Sequence, residues 1–233
     1  MDQLLGMHQT EKKLAEYFGN QRCIVVSGNS EEQPKVADAF GEALNEALDL
    51  LLPEGNNIIA VMGGTTMAVV AEQLTNLENN QRHNLFVPAR GGIGEAVTVQ
   101  ANSVSARMAT KASGNHRALY VPEQLSLATY NSLLNEPSIQ EVLNLISQAN
   151  CVIHSIGRAL HMAARRKMTE KELVMLKQAN AVAESFGYFF NENGEVVYKV
   201  PRIGIELKDL ANVPIILAIA GGKSKAKAIR AYM

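Results

Sequence analysis

Residues 58–66 read IIAVMGGTT, five apolar residues, two glycines and two threonines that open a stretch of helical character. A short Val/Ile-rich run of this kind is a strand covered on both faces, and the glycine pair behind it is a tight strand-to-helix turn. The same punctuation recurs outward along the chain. Short apolar runs stand at 23–27, 85–89, 118–121, 151–156 and 215–220, without clean alternation of apolar and polar residues. Between them, segments 36–52, 67–77, 96–112, 139–148 and 170–179 carry apolar residues at helical spacing. Strand–helix alternation predicts an α/β fold: a Rossmann-like, mostly parallel sheet with helices on both faces.

One stretch departs from the alternation. FGYFF (186–190), NENG (191–194) and EVVYKV (195–200) predict a β-hairpin with a glycine-containing turn, an antiparallel insertion near one sheet edge. Residues 1–20 read as an N-terminal helix or linker, with Tyr17 and Phe18 packing onto the body, and residues 21–233 as one domain. The chain closes on a strand, a Gly221-Gly222 turn and an opening helix.

Composition narrows the function. The 233 residues hold 22 Lys+Arg against 23 Asp+Glu, a net charge of −1, with 47% hydrophobic and 19% charged residues. That is globular composition, and the near-neutral balance argues against broad nucleic-acid binding by this chain alone. With no Trp and 5% aromatics, a base-stacking platform is not expected. No apolar run reaches the roughly 18–20 residues of a membrane helix, and the first twenty residues are too charged for a signal peptide. Two cysteines, both in apolar runs, cannot build a disulfide framework or a four-thiolate zinc site. A cytoplasmic protein with reduced thiols fits these facts.

Chemistry concentrates at three glycine turns. Gly63-Gly64-Thr65-Thr66 follows a strand and opens a helix, so backbone amides and two hydroxyls can meet an anion; the alternative is a plain turn with a threonine cap. Arg90-Gly91-Gly92 follows LFVPA (85–89), placing a guanidinium at a strand's carboxyl end, where open α/β sheets bind ligands; a surface arginine in an exposed ion pair is the alternative. The run Gly92-Ile93-Gly94-Glu95-Ala96-Val97 is not a dinucleotide fingerprint, because Val97 stands where Gly or Ala is required. Gly221-Gly222-Lys223-Ser224-Lys225 is not a Walker A loop, because Leu217 replaces its first glycine; what remains is a turn with mobile lysines, or a solvated basic face. Three anion-suited turns in one sheet predict two phosphate subsites on one small ligand, with Gln100, Arg165 and Glu184 between them. For catalysis, Glu95 and Glu184 are candidates by location only. His154 reads as a hydrogen-bonded strand histidine, His161 with Arg165 and Arg166 as a solvated helix face, and His83 and His116 as surface loop residues. No HExxH, CxxC or GxSxG spacing occurs.

The motifs VMGGTT (61–66), LFVPARGGIGE (85–95), VQAN (99–102), MATKASG (108–114), ESFGYFFNENGEVVYKV (184–200) and AIAGGKSKAKAI (218–229) are together distinctive. From about residue 14 onward the chain resembles the effector-binding domain of central glycolytic genes regulators, bacterial repressors of the SorC/DeoR-like group. The resemblance implies a fold like that of sugar-phosphate isomerases and deaminases. It implies phosphate-binding threonines at Thr65 and Thr66, a phosphate-binding arginine at Arg90, and effector contacts at Gln100, Arg165, Glu184 and Lys225. It also implies a role for the turn glycines Gly63, Gly64, Gly91, Gly92, Gly221 and Gly222, with Lys223 standing where a smaller residue is expected. The implied effector is fructose-1,6-bisphosphate or a related sugar phosphate, with no cofactor and no metal.

Such repressors reach operator DNA through a helix-turn-helix domain. No such segment precedes residue 1, and the chain ends short of the group's usual last strand and helix, so it reads as a domain of a longer repressor. The expected function is a non-enzymatic sensor whose ligand controls self-association as dimer or tetramer, and through it DNA release. A sugar-phosphate isomerase- or deaminase-like enzyme and a purely structural oligomerisation module are the competing readings. No membrane partner is expected.

Overall fold

The computed structural model describes residues 2–19, 22–92, 96–122 and 126–233. Its strands are β1 (Gly55–Val61), β2 (Arg82–Pro88), β3 (Asn115–His116), β4 (Cys151–Ser155), β5 (Gly157–Arg158), β6 (Ala181–Ser185), β7 (Tyr188–Asn191), β8 (Val196–Lys199) and β9 (Ile215–Ile219). Its helices are α1 (Asp2–Phe18), α2 (Val36–Leu51), α3 (Thr65–Glu72), α4 (Ala101–Lys111), α5 (Leu127–Leu134), α6 (Pro137–Ser147), α7 (Ala159–Arg165), α8 (Glu170–Gln178) and α9 (Ala226–Tyr232). Five strands form a parallel sheet in the order β3-β2-β1-β4-β9, and β5-β6-β7-β8 form a separate antiparallel sheet. Among the described residues, no helix is long and apolar enough to cross a membrane.

Strand periodicity assigns the core. Ile59, Val61, Phe86, Cys151 and Ile153 join one cluster with Leu48 of α2, Met67 and Val70 of α3, and Val104 and Met108 of α4. The intervening Ala60, Met62, Val87 and Val152 join the opposite cluster with Ile139, Val142 and Ile146 of α6 and with Phe186, Tyr188 and Phe190 of the second sheet. Successive side chains of a strand point to opposite faces, so both faces of β1 need apolar residues, as its sequence supplies. Local signals agree with the packing. Pro137 occupies the first turn of α6. Thr169 caps α8 in a reciprocal box: its Oγ1 accepts from the Glu172 amide at 3.3 Å, and Glu172 accepts from the Thr169 amide at 2.8 Å.

Several expectations change. Residues 23–27 form no strand; the Val25 amide donates to the Glu11 carboxylate of α1 at 2.8 Å instead of joining a ladder. The strand expected at 118–121 lies at Asn115–His116, because Asn102 takes the neighbour's part at Leu119, accepting from its amide and donating to its carbonyl, both at 2.9 Å. The helix expected at 96–112 is interrupted at Gln100, which is extended between a short 3₁₀ turn (Val97–Val99) and α4. The interruption holds the Val99 carbonyl against the first glycine turn, where the Gly64 amide donates to it at 2.8 Å. The hairpin belongs to the second sheet rather than to the edge of the first. It forms as β7 and β8 around the expected turn, with Gly194 at φ 80°, while Phe186-Gly187 (φ 53° and 80°) is not strand but the two-residue type I′ connection from β6 to β7. Tyr17 is exposed, with an edge-on contact to Phe18. His83 and His116 stand on strands, His83 paired with Glu78 and His116 half-buried against Ser105.

A pair of asparagines ties β1 to the start of β4, beside a backbone bond from the Asn150 amide to the Ile58 carbonyl at 3.1 Å. The Asn150 side-chain Oδ1 accepts from the Ile58 amide at 2.9 Å, and its Nδ2 donates to Oδ1 of the buried Asn57 at 2.7 Å. Asn150→Ala strands both the Ile58 N–H and the Asn57 oxygen. We expect a loss of about 1–3 kcal/mol in urea unfolding, with an unchanged slope against denaturant.

Candidate functional site

The strand order reverses between β1 and β4. From β1 the chain moves outward through β2 and β3, then returns to add β4 and β9 on the other side. The segments leaving the carboxyl ends of β1 and β4 therefore diverge, and a crevice opens between them. A cleft lies there, lined among others by Gly63, Gly64, Thr65 and Thr66 after β1, Arg90 after β2, and Ser155 and Arg158 after β4. Its volume is about 120 Å3, against the roughly 10–15 Å3 that holds one water. It has room for a small organic ligand.

Each wall has a local cause. Gly63 packs under the loop before α4: a Cβ there would lie 2.5 Å from the Val99 carbonyl and 2.7 Å from the Ala101 nitrogen. Gly64, at φ 133°, is the N-cap of α3, so the alternative of a threonine cap does not hold, and Thr65 and Thr66 are the first helical residues. The amides of that first turn have no carbonyl one turn earlier in the helix, and the residues that carry them line the cleft. Arg90 is 2% exposed, not a surface arginine. It is fixed through a bridge to Gly204 (φ 152°), where a Cβ would come within 2.5 Å of the Arg90 Cα. Such an approach requires glycine.

The cleft is rich in cations. Among the described residues its lining holds Arg90, Arg158, Arg165 and Lys225 against the carboxylates Glu31 and Glu184. Lys225 is half-buried and its pKa is lowered, first by burial, then by Arg158, with Glu31 opposing and Arg165 adding to the shift. Glu184 is committed elsewhere. It is 4% exposed, and one oxygen accepts from Arg166 at 3.0 Å and from the Gly187 amide at 2.6 Å. So Glu184 braces the β6–β7 turn at the cleft floor, while Arg166 is buried rather than on a solvated face. His161 and Arg165, read from sequence as part of that face, both line the cleft.

Of the other expected residues, Gln100 lies behind the Gly63 turn and Gly91 packs on Val121, while a Cβ on Gly92 would lie 3.9 Å from the Gln100 side-chain oxygen. Gly221 and Gly222 pack against Phe40 and Glu31. None of these five is in the lining. Residue Glu95, with Ile93 and Gly94, lies outside the described residues. Lys227 is outside the lining and pairs with Glu192 at 3.0 Å. Sequence reasoning missed Glu31, Ser155, Arg158, Ser185 and Phe186 as lining residues. The signal for Arg158 was available: it follows Ile156-Gly157 at the end of a buried strand, the same grammar that marked Arg90.

Beneath Ser185 sits His154, fully buried as a hydrogen-bonded strand histidine. Its Nδ1 meets the Ser185 hydroxyl at 3.1 Å, its Nε2 the Tyr232 hydroxyl at 3.4 Å, and the ring stacks tilted on Phe186. Burial pushes its pKa down to about 4, the Ser155 carbonyl opposing. A neutral imidazole with both nitrogens engaged is a structural link from cleft to α9, not a base.

Residues 2–233 match the family model described as a sugar-binding domain. The central glycolytic genes regulators of Priestia megaterium and Bacillus subtilis are 46% and 47% identical, over 100% of this chain and 68% of theirs. The crystal structure of a SorC family transcriptional regulator from Enterococcus faecalis superposes with a TM-score of 0.93 at 72% identity, covering 97% of this chain and 91% of that one.

The buried histidine sets a pH dependence. Its folded pKa (about 4) lies below the unfolded value of about 6.5. Above the unfolded value the stability is complete; as pH falls toward 4 the unfolded chain binds a proton that the folded chain refuses. Urea unfolding from about pH 7 to about pH 4 should show a loss on the order of 3 kcal/mol attributable to this site. His154→Gln should flatten that slope.

Proposed function

Because this chain belongs to the family of sugar-binding domains of transcriptional regulators, we propose that the cleft is the site of a phosphorylated sugar effector, with fructose-1,6-bisphosphate the best fit. The observation that carries the reading is the gathering of Arg90, Arg158, Arg165 and Lys225 around the first turn of α3 at the reversal point of the sheet. Guanidinium groups bind phosphoryl oxygens two at a time, and helix amides add donors without adding a mobile side chain. Arg90 and the α3 turn sit on one side of the strand reversal, Arg158 and Lys225 on the other. That spread suits a ligand charged at both ends, while Thr65, Thr66, Ser155 and Ser185 supply hydroxyls for the sugar between them.

In this reading the chain is the sensing part of a regulator of glycolytic genes. It carries no chemistry of its own and needs no cofactor. Ligand binding changes how subunits associate, as dimer or tetramer, and thereby operator binding by the helix-turn-helix part of the regulator. That coupling requires the ligand to bind one assembly state better than the other. Incubation with sugar phosphates and a search for turnover separates sensor from enzyme, and sedimentation with and without ligand tests the assembly. A cytoplasmic location fits both the ligand and the role.

Two measurements test the pocket. Fructose-1,6-bisphosphate should bind at least about tenfold more tightly than fructose-6-phosphate, because a lost phosphate forfeits charged hydrogen bonds of about 1.5–3 kcal/mol each. Equal affinities by calorimetry would remove the two-ended ligand. Arg90→Lys should weaken bisphosphate binding by about 1–3 kcal/mol, since an ammonium cannot copy the bidentate fork. Its burial means that the melting temperature without ligand should fall too, so affinity is read well below the melting range.

A further inference from the structure

One carboxylate in the cleft already occupies groups suited to a phosphate. Glu31 lies in the loop before α2, and its side chain reaches a turn 193 positions later. One oxygen accepts from the Ser224 amide at 3.2 Å and the other accepts from the Ser224 hydroxyl. The contact is built into the third glycine turn. Gly222 adopts φ 103°, and a Cβ there would lie 2.6 Å from both Cγ and Cδ of Glu31. A glycine at 222 therefore serves the approach of Glu31 as well as the bend of the chain. The loop is held in place from within: the Glu31 amide donates to the Asn29 side chain at 3.2 Å, and the Gln33 amide to the Asn29 carbonyl at 2.8 Å. Ser224 bonding lowers the Glu31 pKa most, and the charges of Arg158 and Lys225 lower it further.

We propose that Glu31 is an internal competitor of the ligand: its carboxylate is docked on the Ser224 donors in the wall that also carries Arg158 and Lys225, and an entering phosphoryl group displaces it. The inference rests on the reading of the cleft as a phosphate site and adds how its affinity is set. A phosphoryl group carries nearly two charges and three acceptor oxygens at neutral pH, a carboxylate one charge and two oxygens. Glu31 is solvent-exposed, so turning it outward into water uncovers no buried charge and leaves the carboxylate hydrated. The exchange also gives the loop before α2 two positions, with the carboxylate docked or released.

The test compares the chain with Glu31→Gln, titrated by calorimetry with inorganic phosphate and, separately, with fructose-1,6-bisphosphate. Loss of an exposed charged competitor should tighten phosphate binding by roughly two- to fivefold. Hydrogen exchange should show the Ser224 amide and residues 29–33 changing protection when phosphate is added to the unsubstituted protein. Equal or weaker phosphate binding by the variant, or none by either protein, overturns the inference; weaker binding would make Glu31 a positioning residue for Lys225. The two readings fail separately. A variant that gains phosphate affinity while neither protein binds the sugar bisphosphate keeps Glu31 as competitor and removes the proposed effector. Bisphosphate binding with no gain for phosphate does the reverse.

Discussion

Parallel strands need both faces covered, and the chain meets that need by running its crossovers outward from β1 first to one side and then to the other. The hydrophobic demand of β1 and the position of the cleft thus have one origin. Ile59 and Val61 are buried with α2, α3 and α4, and Ala60 and Met62 with α6 and the second sheet. At the carboxyl ends of β1 and β4 the connections leave toward opposite sides, so amides, hydroxyls and side chains there line a cleft. Three of the four cleft cations sit where strands of this sheet end or just beyond: Arg90 after β2, Arg158 after β4 and Lys225 after β9, while Arg165 comes from α7.

The second sheet closes the floor of that crevice and brings buried charge with it. Arg166, Arg202 and Glu184 are all less than a tenth exposed. Removing ions from water is expensive, and a buried cation is tolerated when carboxylates and carbonyls stand around it. Glu184 answers Arg166 directly, while Arg202 donates to the Ile205 carbonyl at 3.2 Å and lies over the Tyr188 ring at 5.6 Å. Burial still pushes the Arg202 pKa down to about 10, with Glu184 and Glu206 opposing. The guanidinium passes so close to the β6–β7 turn that a Cβ on Gly187 would lie 2.4 Å from its Nε. An apolar layer would be simpler. The ionic layer instead fixes the angle of the turn that carries Phe186 and Ser185 into the cleft.

Much of this was legible in the sequence, because the signals were local. The runs at 58–62, 85–89, 151–156 and 215–220 became strands within a few residues, and the three glycine turns stand where a strand end required them. What was not legible depended on distant partners. Residues 23–27 have the composition of a strand, but Glu11 takes an amide of the run. The fragment at 118–121 lost its ladder to the side chain of Asn102. Arg90 reads from sequence as a ligand-binding arginine with a surface ion pair as the alternative, and Arg166 as part of a solvated face; the Gly204 bridge and Glu184, distant in sequence, accompany the burial of both. Glu31 carried no motif, since its role depends on a glycine and a serine near the far end of the chain.

Phe186 joins these observations. It is fully buried and has φ 53°, a conformation that a bulky residue adopts only when its surroundings compel it. The compulsion comes from both sides: Glu184 accepts from the Gly187 amide, and the Phe186 ring packs on His154, itself bonded to Ser185 and Tyr232. The cleft floor, the parallel sheet and the last helix therefore meet in one packed group. A ligand that moved Ser185 would press on His154, and through it on α9. Since α9 follows the turn held by Glu31, the C-terminal helix receives both the displacement of a carboxylate at its start and pressure on Tyr232 at its end. A response to ligand in this fold has a short physical route, through groups in contact, from the cleft to the surface formed by the C-terminal helix.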